Sequence, residues 1–155
     1  MLGAAISAVT GKTYENACNE LVLEPAGVTS AVLNPDWRIM SSWGGWNLSA
    51  IDCQKFMSFY FDSDGYLDSS LLDFPNASLG GGAYYGPGFL FRESQGSGIN
   101  FWHHGSWLAE YKGVPHRLGS FFASWNNGWS VSLNHNTSSF QYDASQLDTL
   151  LANDP

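Results

Sequence analysis

His103 and His104, followed by Gly105 and Ser106, are the residues of this chain best placed to do chemistry. An imidazole changes charge near neutral pH, which suits it to hold a polar ligand or carry a proton. The pair follows an apolar and aromatic run (Ile99, Phe101, Trp102) that reads as a buried strand, so polar groups are expected at a strand-to-loop edge. Adjacent strand residues point to opposite faces, and at most one of the two histidines can face a ligand. A histidine among aromatics is equally familiar as a hydrogen-bonded structural residue. His103, His104 and an acidic neighbour lack the spacing of a metal site, so no metal and no cofactor are expected.

Other candidates are weaker. Cys18 and Cys53 are too few for a disulfide scaffold and read as half-buried free thiols on helices. Asp62-Ser63-Asp64-Gly65 lacks the remaining ligands of a calcium loop and reads as a turn. Asn47, Asn76 and Asn136 begin Asn-x-Ser/Thr triplets that permit glycosylation on a eukaryotic secretory route. Seven Trp, seven Tyr and ten Phe, many beside Gly, Asn or Ser, are compatible with a sugar-binding surface.

The elements that must position these residues follow from pattern. A chain of 155 residues, 44% hydrophobic and 13% charged, is long enough for one domain with a real core. Only six Lys plus Arg against a net charge of −8 argue against nucleic acid and anionic membrane surfaces as partners. No apolar run is long enough to span a bilayer, and Met1–Ile6 has no basic leader. Leu2–Val9 predicts a helix with Leu2, Ile6 and Val9 on one face, closed by Thr10-Gly11-Lys12. Thr13 caps a second helix, Tyr14–Leu23, with Tyr14, Cys18, Leu21 and Val22 as its apolar stripe. Asn34–Ser42 reads as a loop and Trp43-Gly44-Gly45-Trp46 as a tight turn. Ser49-Ala50-Ile51-Asp52 is a capping-box variant opening a helix to about Tyr60 that buries Ile51, Phe56 and Phe59, with Asp52 a helix-start residue of no catalytic role. Phe61–Gly82 reads as a long connection, Ala83–Arg92 as a strand, Ile99–His103 as the site strand, and His104–Arg117 as a polar excursion. Leu118–Trp125 and Trp129–Asn134 form a hairpin through Asn126-Asn127-Gly128, with Trp129, Val131 and Leu133 on the buried face. A closing helix over Asp143–Asn153, capped by Asp143, carries Leu147, Leu150 and Leu151 across the sheet. The fold class is α+β: an antiparallel sheet of three strands flanked by helices, with residues 1–62 helical, 83–134 stranded and 143–153 the last helix.

The order of these segments resembles the serine β-lactamase and penicillin-binding-protein-like family, which holds class C β-lactamases, D-alanyl-D-alanine carboxypeptidases and related esterases. Thr10-Gly11-Lys12 and Glu24-Pro25-Ala26-Gly27-Val28 stand where the family has Thr-Gly-Lys and a Glu-Pro-Leu-Gly-Met turn. Gly44-Gly45 with Ser49 and Asp52, and Tyr85-Gly86-Pro87-Gly88-Phe89, match further family segments in order. His103-His104-Gly105-Ser106 maps onto the family's His-x-Gly strand. The likeness covers nearly all of this chain but only the C-terminal part of the family's domain, so the fold it implies is an incomplete transpeptidase-like one.

That resemblance implies roles. His103 becomes the catalytic group that holds substrate and assists proton transfer, while His104 turns into packing. Gly105 keeps the strand clear for substrate, the backbone N–H of Ser106 donates to an oxyanion, and Trp107 and Tyr111 contact substrate. The family's Ser-x-x-Lys is missing, because the residues three before Lys12, Lys55 and Lys112 are Val9, Asp52 and Ala109. Tyr14-Glu15-Asn16 fits Tyr-x-Asn only as a pattern, and Ala109-Glu110 replaces the glycine usual after the His-x-Gly loop. Two functions are therefore expected. In the first, the chain is the C-terminal portion of a serine hydrolase that acts on a small amide or ester once completed, inactive alone and exported like many relatives. In the second it is a noncatalytic module that binds glycan or peptidoglycan through Trp102, His103, Trp107 and Tyr111. An unpaired edge on Trp129–Asn134 would favour self-association in either.

Overall fold

The computed structural model describes residues 1–61, 73–93, 98–137 and 144–151, in two compact units, Met1–Phe59 and Tyr60–Pro155. The turn expected at Asp62-Ser63-Asp64-Gly65 and the cap expected at Asp143 lie outside the described residues.

In the first unit, short-range capping defines the elements. Helix α1 (Leu2–Thr10) ends on Gly11, whose left-handed φ of 67° lets its N–H reach Ser7 O. Leu2 and Val9 are exposed, however, and the residue α1 buries is Gly3, whose missing side chain admits Ser42 and Tyr14. Helix α2 (Tyr14–Cys18) starts at Thr13, whose Oγ1 accepts the Asn16 N–H at 3.2 Å. It continues as one π-helical stretch, Asn19–Leu23, in which Glu24 N–H bonds Asn19 O. Ala17 is buried ahead of the wider turn, and within that turn Leu23 is buried while the expected Leu21 faces solvent.

The expected loop after Asn34 is a 3₁₀ helix, Pro35–Met40, with Asn34 Oδ1 accepting from Asp36 N–H and proline at its first position. Two short strands, β1 (Val32–Leu33) and β2 (Trp46–Asn47), pair antiparallel beside it, and both are too short to carry a period-2 signal. Helix α3 (Ala50–Phe61) opens on Ser49, which accepts the Asp52 N–H at 3.0 Å and donates to Asp52 Oδ2 at 2.9 Å. Ser30 Oγ also donates to Asp52, and Lys55 Nζ binds Asp52 Oδ1 at 3.2 Å and Gly27 O at 3.3 Å. Buried Asp52 thus ties the 27–30 stretch to the start of α3. Along α3 the buried residues are Asp52, Met57 and Tyr60, while Ile51 and Phe59 are exposed, contrary to the sequence pattern.

The second unit is a six-stranded antiparallel meander. β3 (Ala77–Gly80), β4 (Ala83–Tyr85), β5 (Leu90–Glu93), β6 (Ile99–Tyr111), β7 (Val114–Ser124) and β8 (Ser130–Thr137) lie side by side in chain order. The α+β class with an antiparallel sheet holds, and the expected count of three strands rises to six. β3 escapes pattern reading because all four residues are exposed, and Gly81-Gly82 at φ 60° and 77° supply the turn to β4. The single strand expected over Ala83–Arg92 is broken at Gly86, whose N–H bonds Phe89 O to close a hairpin.

The largest correction concerns His104–Arg117. It is the core of a continuous hairpin, paired from Phe101↔Ser124 to Tyr111↔Val114 without a register shift. Lys112 and Gly113, at φ 53° and 74°, form its two-residue turn. Helix α4 (Ala144–Leu151) places Leu147 and Leu151 on a core of Phe121, Ala123 and Trp125, with Trp102 and Val131 beside them. Leu150 and Trp129 are exposed, the latter because it precedes the first paired residue of β8.

Candidate functional site

His103 stands mid-strand, not at a strand end. Period-2 alternation puts Phe101, His103, Gly105 and Trp107 on one face of β6 and Trp102, His104, Ser106 and Leu108 on the other. The expected separation of the two histidines holds: His103 is half-buried and His104 exposed. Opposite His103 in β7 is Phe122, ring centroids 6.0 Å apart and nearly parallel. Tyr85 approaches from β4, with its Oη 3.4 Å from His103 Nε2.

Burial and, less strongly, repulsion from His104 hold the His103 imidazole below its usual pKa of 6.5. At pH 7 the ring is therefore predominantly neutral, with one nitrogen able to accept a proton. Along the same row, an added Cβ at Gly105 would lie 3.2 Å from Ser120 Oγ, so glycine leaves room for the Ser120 hydroxyl opposite it. Trp107 follows opposite Leu118, 37% exposed.

The remaining expected site residues fall differently. The side chain of Ser106 belongs to the opposite face, across from Gly119, over which the His135 ring lies so closely that a Cβ would come within 2.1 Å of its Nε2. Ser106's expected role rests on its backbone N–H, which lies in the plane of the sheet and is independent of that facing. Tyr111 ends β6 opposite Val114, and its side chain lies outside the described residues. On the β5 side, pairing with β6 stops at Leu90↔Trp102, so from His103 onward that edge of β6 has no strand partner among the described residues.

Pattern reading missed Tyr85, Phe122 and Ser120. Register alone puts Phe122 opposite His103 and Ser120 opposite Gly105 on the same face, and the sign that could have found them is Lys112-Gly113, a glycine-containing two-residue link between alternating segments. Among the described residues, no three His, Cys, Asp or Glu side chains converge as metal ligands, and no helix is long and apolar enough to cross a membrane. The chain matches no protein-family model, no curated protein and no solved structure.

Proposed function

We propose that this chain is the histidine-bearing sheet portion of a β-lactamase-like serine hydrolase, with the nucleophilic serine and its lysine supplied by residues outside this sequence. The observation that carries the reading is a half-buried, predominantly neutral His103 on a central strand, beside a residue with no side chain. In acyl transfer a serine oxygen attacks the substrate carbonyl, and negative charge develops on the carbonyl oxygen. A neutral imidazole at His103 accepts or relays the proton that must reach the leaving amine or alcohol. The open edge of β6 offers backbone groups to the substrate, and Ser106 N–H is the proposed oxyanion donor. Tyr85 orients the imidazole from the other side.

Reading the coding sequence upstream of the Met1 codon, then assaying the extended product with a chromogenic ester and a β-lactam, tests this. The expected result is a Ser-x-x-Lys upstream and burst acylation that His103→Ala reduces at least a hundredfold, the lower end of general acid–base contributions. An extended product that is not acylated, or one indifferent to His103→Ala, overturns the reading. The exposed Trp107 on the same face supports the second reading, a glycan-binding module. Saturable binding of a soluble peptidoglycan fragment to the chain alone, lost in Trp107→Ala, would favour it.

A further inference from the structure

A cavity of about 260 Å³ is lined chiefly by residues of the α4-facing side of the sheet, Arg92, Asn100, Trp102, Phe121, Ala123 and Trp125, and by Asp148 of α4, with Phe101 at its margin. Its walls are mainly aromatic, Phe101, Trp102, Phe121 and Trp125, with Ala123 among them. An apolar cavity of about 150 Å³ accommodates one benzene ring, so this space suits two fused rings. Its polar end is built from Arg92, Asn100 and Asp148.

The hydrogen bonds at that end decide the ligand's chemistry. Arg92 Nη2 donates to both oxygens of Asp148 at 2.5 and 2.6 Å, and Trp125 Nε1–H donates to the same carboxylate at 2.9 Å. Asp148 is thereby committed. Asn100, only 7% exposed, uses its Oδ1 to accept the Asn126 N–H at 3.0 Å. Arg92 Nε and Nη1 and the Asn100 amide NH₂ carry no bond to a described residue. The cavity therefore offers donors to its occupant. Arg92's charge is already matched by Asp148, and the chain carries −8 overall, so an anion there would meet repulsion that a neutral acceptor would not.

We infer that this cavity is a binding site for a neutral, planar, two-ring aromatic compound bearing a carbonyl, the rings against Trp102 and Trp125 and the carbonyl oxygen on Arg92 and Asn100. This site does not rest on the hydrolase reading, since none of Arg92, Asn100, Trp102 and Trp125 has a part in it and Trp102 lies on the face of β6 opposite His103.

Titration of the full 155-residue chain with 2-acetylnaphthalene, followed by the indole N–H resonances of Trp102 and Trp125, tests the inference. Saturable shifts confined to those two indoles and to α4 are expected. 2-Ethylnaphthalene, lacking the acceptor, should bind about tenfold more weakly, the loss expected for one good hydrogen bond. 2-Naphthoate should bind more weakly than the ketone. Ala123→Met, which adds bulk to a buried wall residue, should abolish the shifts. Arg92→Lys, which keeps the ion pair and loses the remaining guanidinium donors, should erase the ketone's advantage even if Ala123→Met fails to fold. No saturable shift, equal binding of ketone and hydrocarbon, or tighter binding of naphthoate would each overturn the assignment.

Discussion

The two units of this protein are held by different kinds of interaction. In Met1–Phe59, each element is set by a residue within a few positions of its end: Thr13 for α2, Asn34 for the 3₁₀ helix, Ser49 and Asp52 for α3. Large apolar side chains there, among them Leu2, Val9, Ile39 and Ile51, are exposed. In the second unit β6 and β7 are joined along eleven residue pairs, and the core Phe121–Ala123–Trp125 comes from register and from a helix some twenty residues further on. Local caps decide where an element begins, whereas a packed core decides which residues meet.

Removing a side chain from each unit should expose that difference. Phe121→Ala empties the sheet core and is expected to cost about 3–5 kcal/mol, read as a fall in the urea midpoint of the sheet's Trp emission. A cost below about 1 kcal/mol would mean that the α4 face is not the core of this unit. Thr13→Ala should cost about 1 kcal/mol and speed amide exchange only in α2 and its π-helical extension, leaving the sheet unchanged. Propagation of that loss to β6 and β7 would erase the contrast.

Acid should separate the units by smaller steps. His103 is held below 6.5 mainly by burial, so the folded state binds fewer protons than the unfolded chain between its folded pKa and 6.5. Stability then rises with pH: this contribution is whole above about 6.5 and lost as pH falls through the folded value. Asp52 is held below 3.8, chiefly by the hydroxyls of Ser30 and Ser49 with help from Lys55, against an opposing effect of burial. Its contribution is whole above that value and lost as pH falls through the folded pKa. Stability–pH curves of His103→Gln and Asp52→Asn should therefore flatten in different windows, the first in mild acid and the second in strong acid. Flattening in the same window would show that one of the two groups is not held as described.

Sequence by itself determined the devices that act over a few residues. Thr13, the Ser49–Asp52 box, the left-handed Gly11 and the Asn126-Asn127-Gly128 turn are legible because their partners are neighbours in the chain. It also placed His103 and His104 on opposite faces, since alternation is a property of any strand. What it could not place were contacts fixed by pairing across the sheet. Phe122 meets His103, and Ser120 meets Gly105 on the same face, through the β6–β7 register that closes at Lys112-Gly113, and Tyr85 arrives from a strand two places away. The buried residues of α2 and α3 depart from the plain apolar period for a related reason: a π-helical stretch follows α2, and in α3 a hydrogen-bonded carboxylate, Asp52, is buried where the pattern expects Ile51. The cavity beneath α4 has no sequence signature at all, because its walls come from β5, β6, β7 and α4 and meet only when the sheet and helix close on one another.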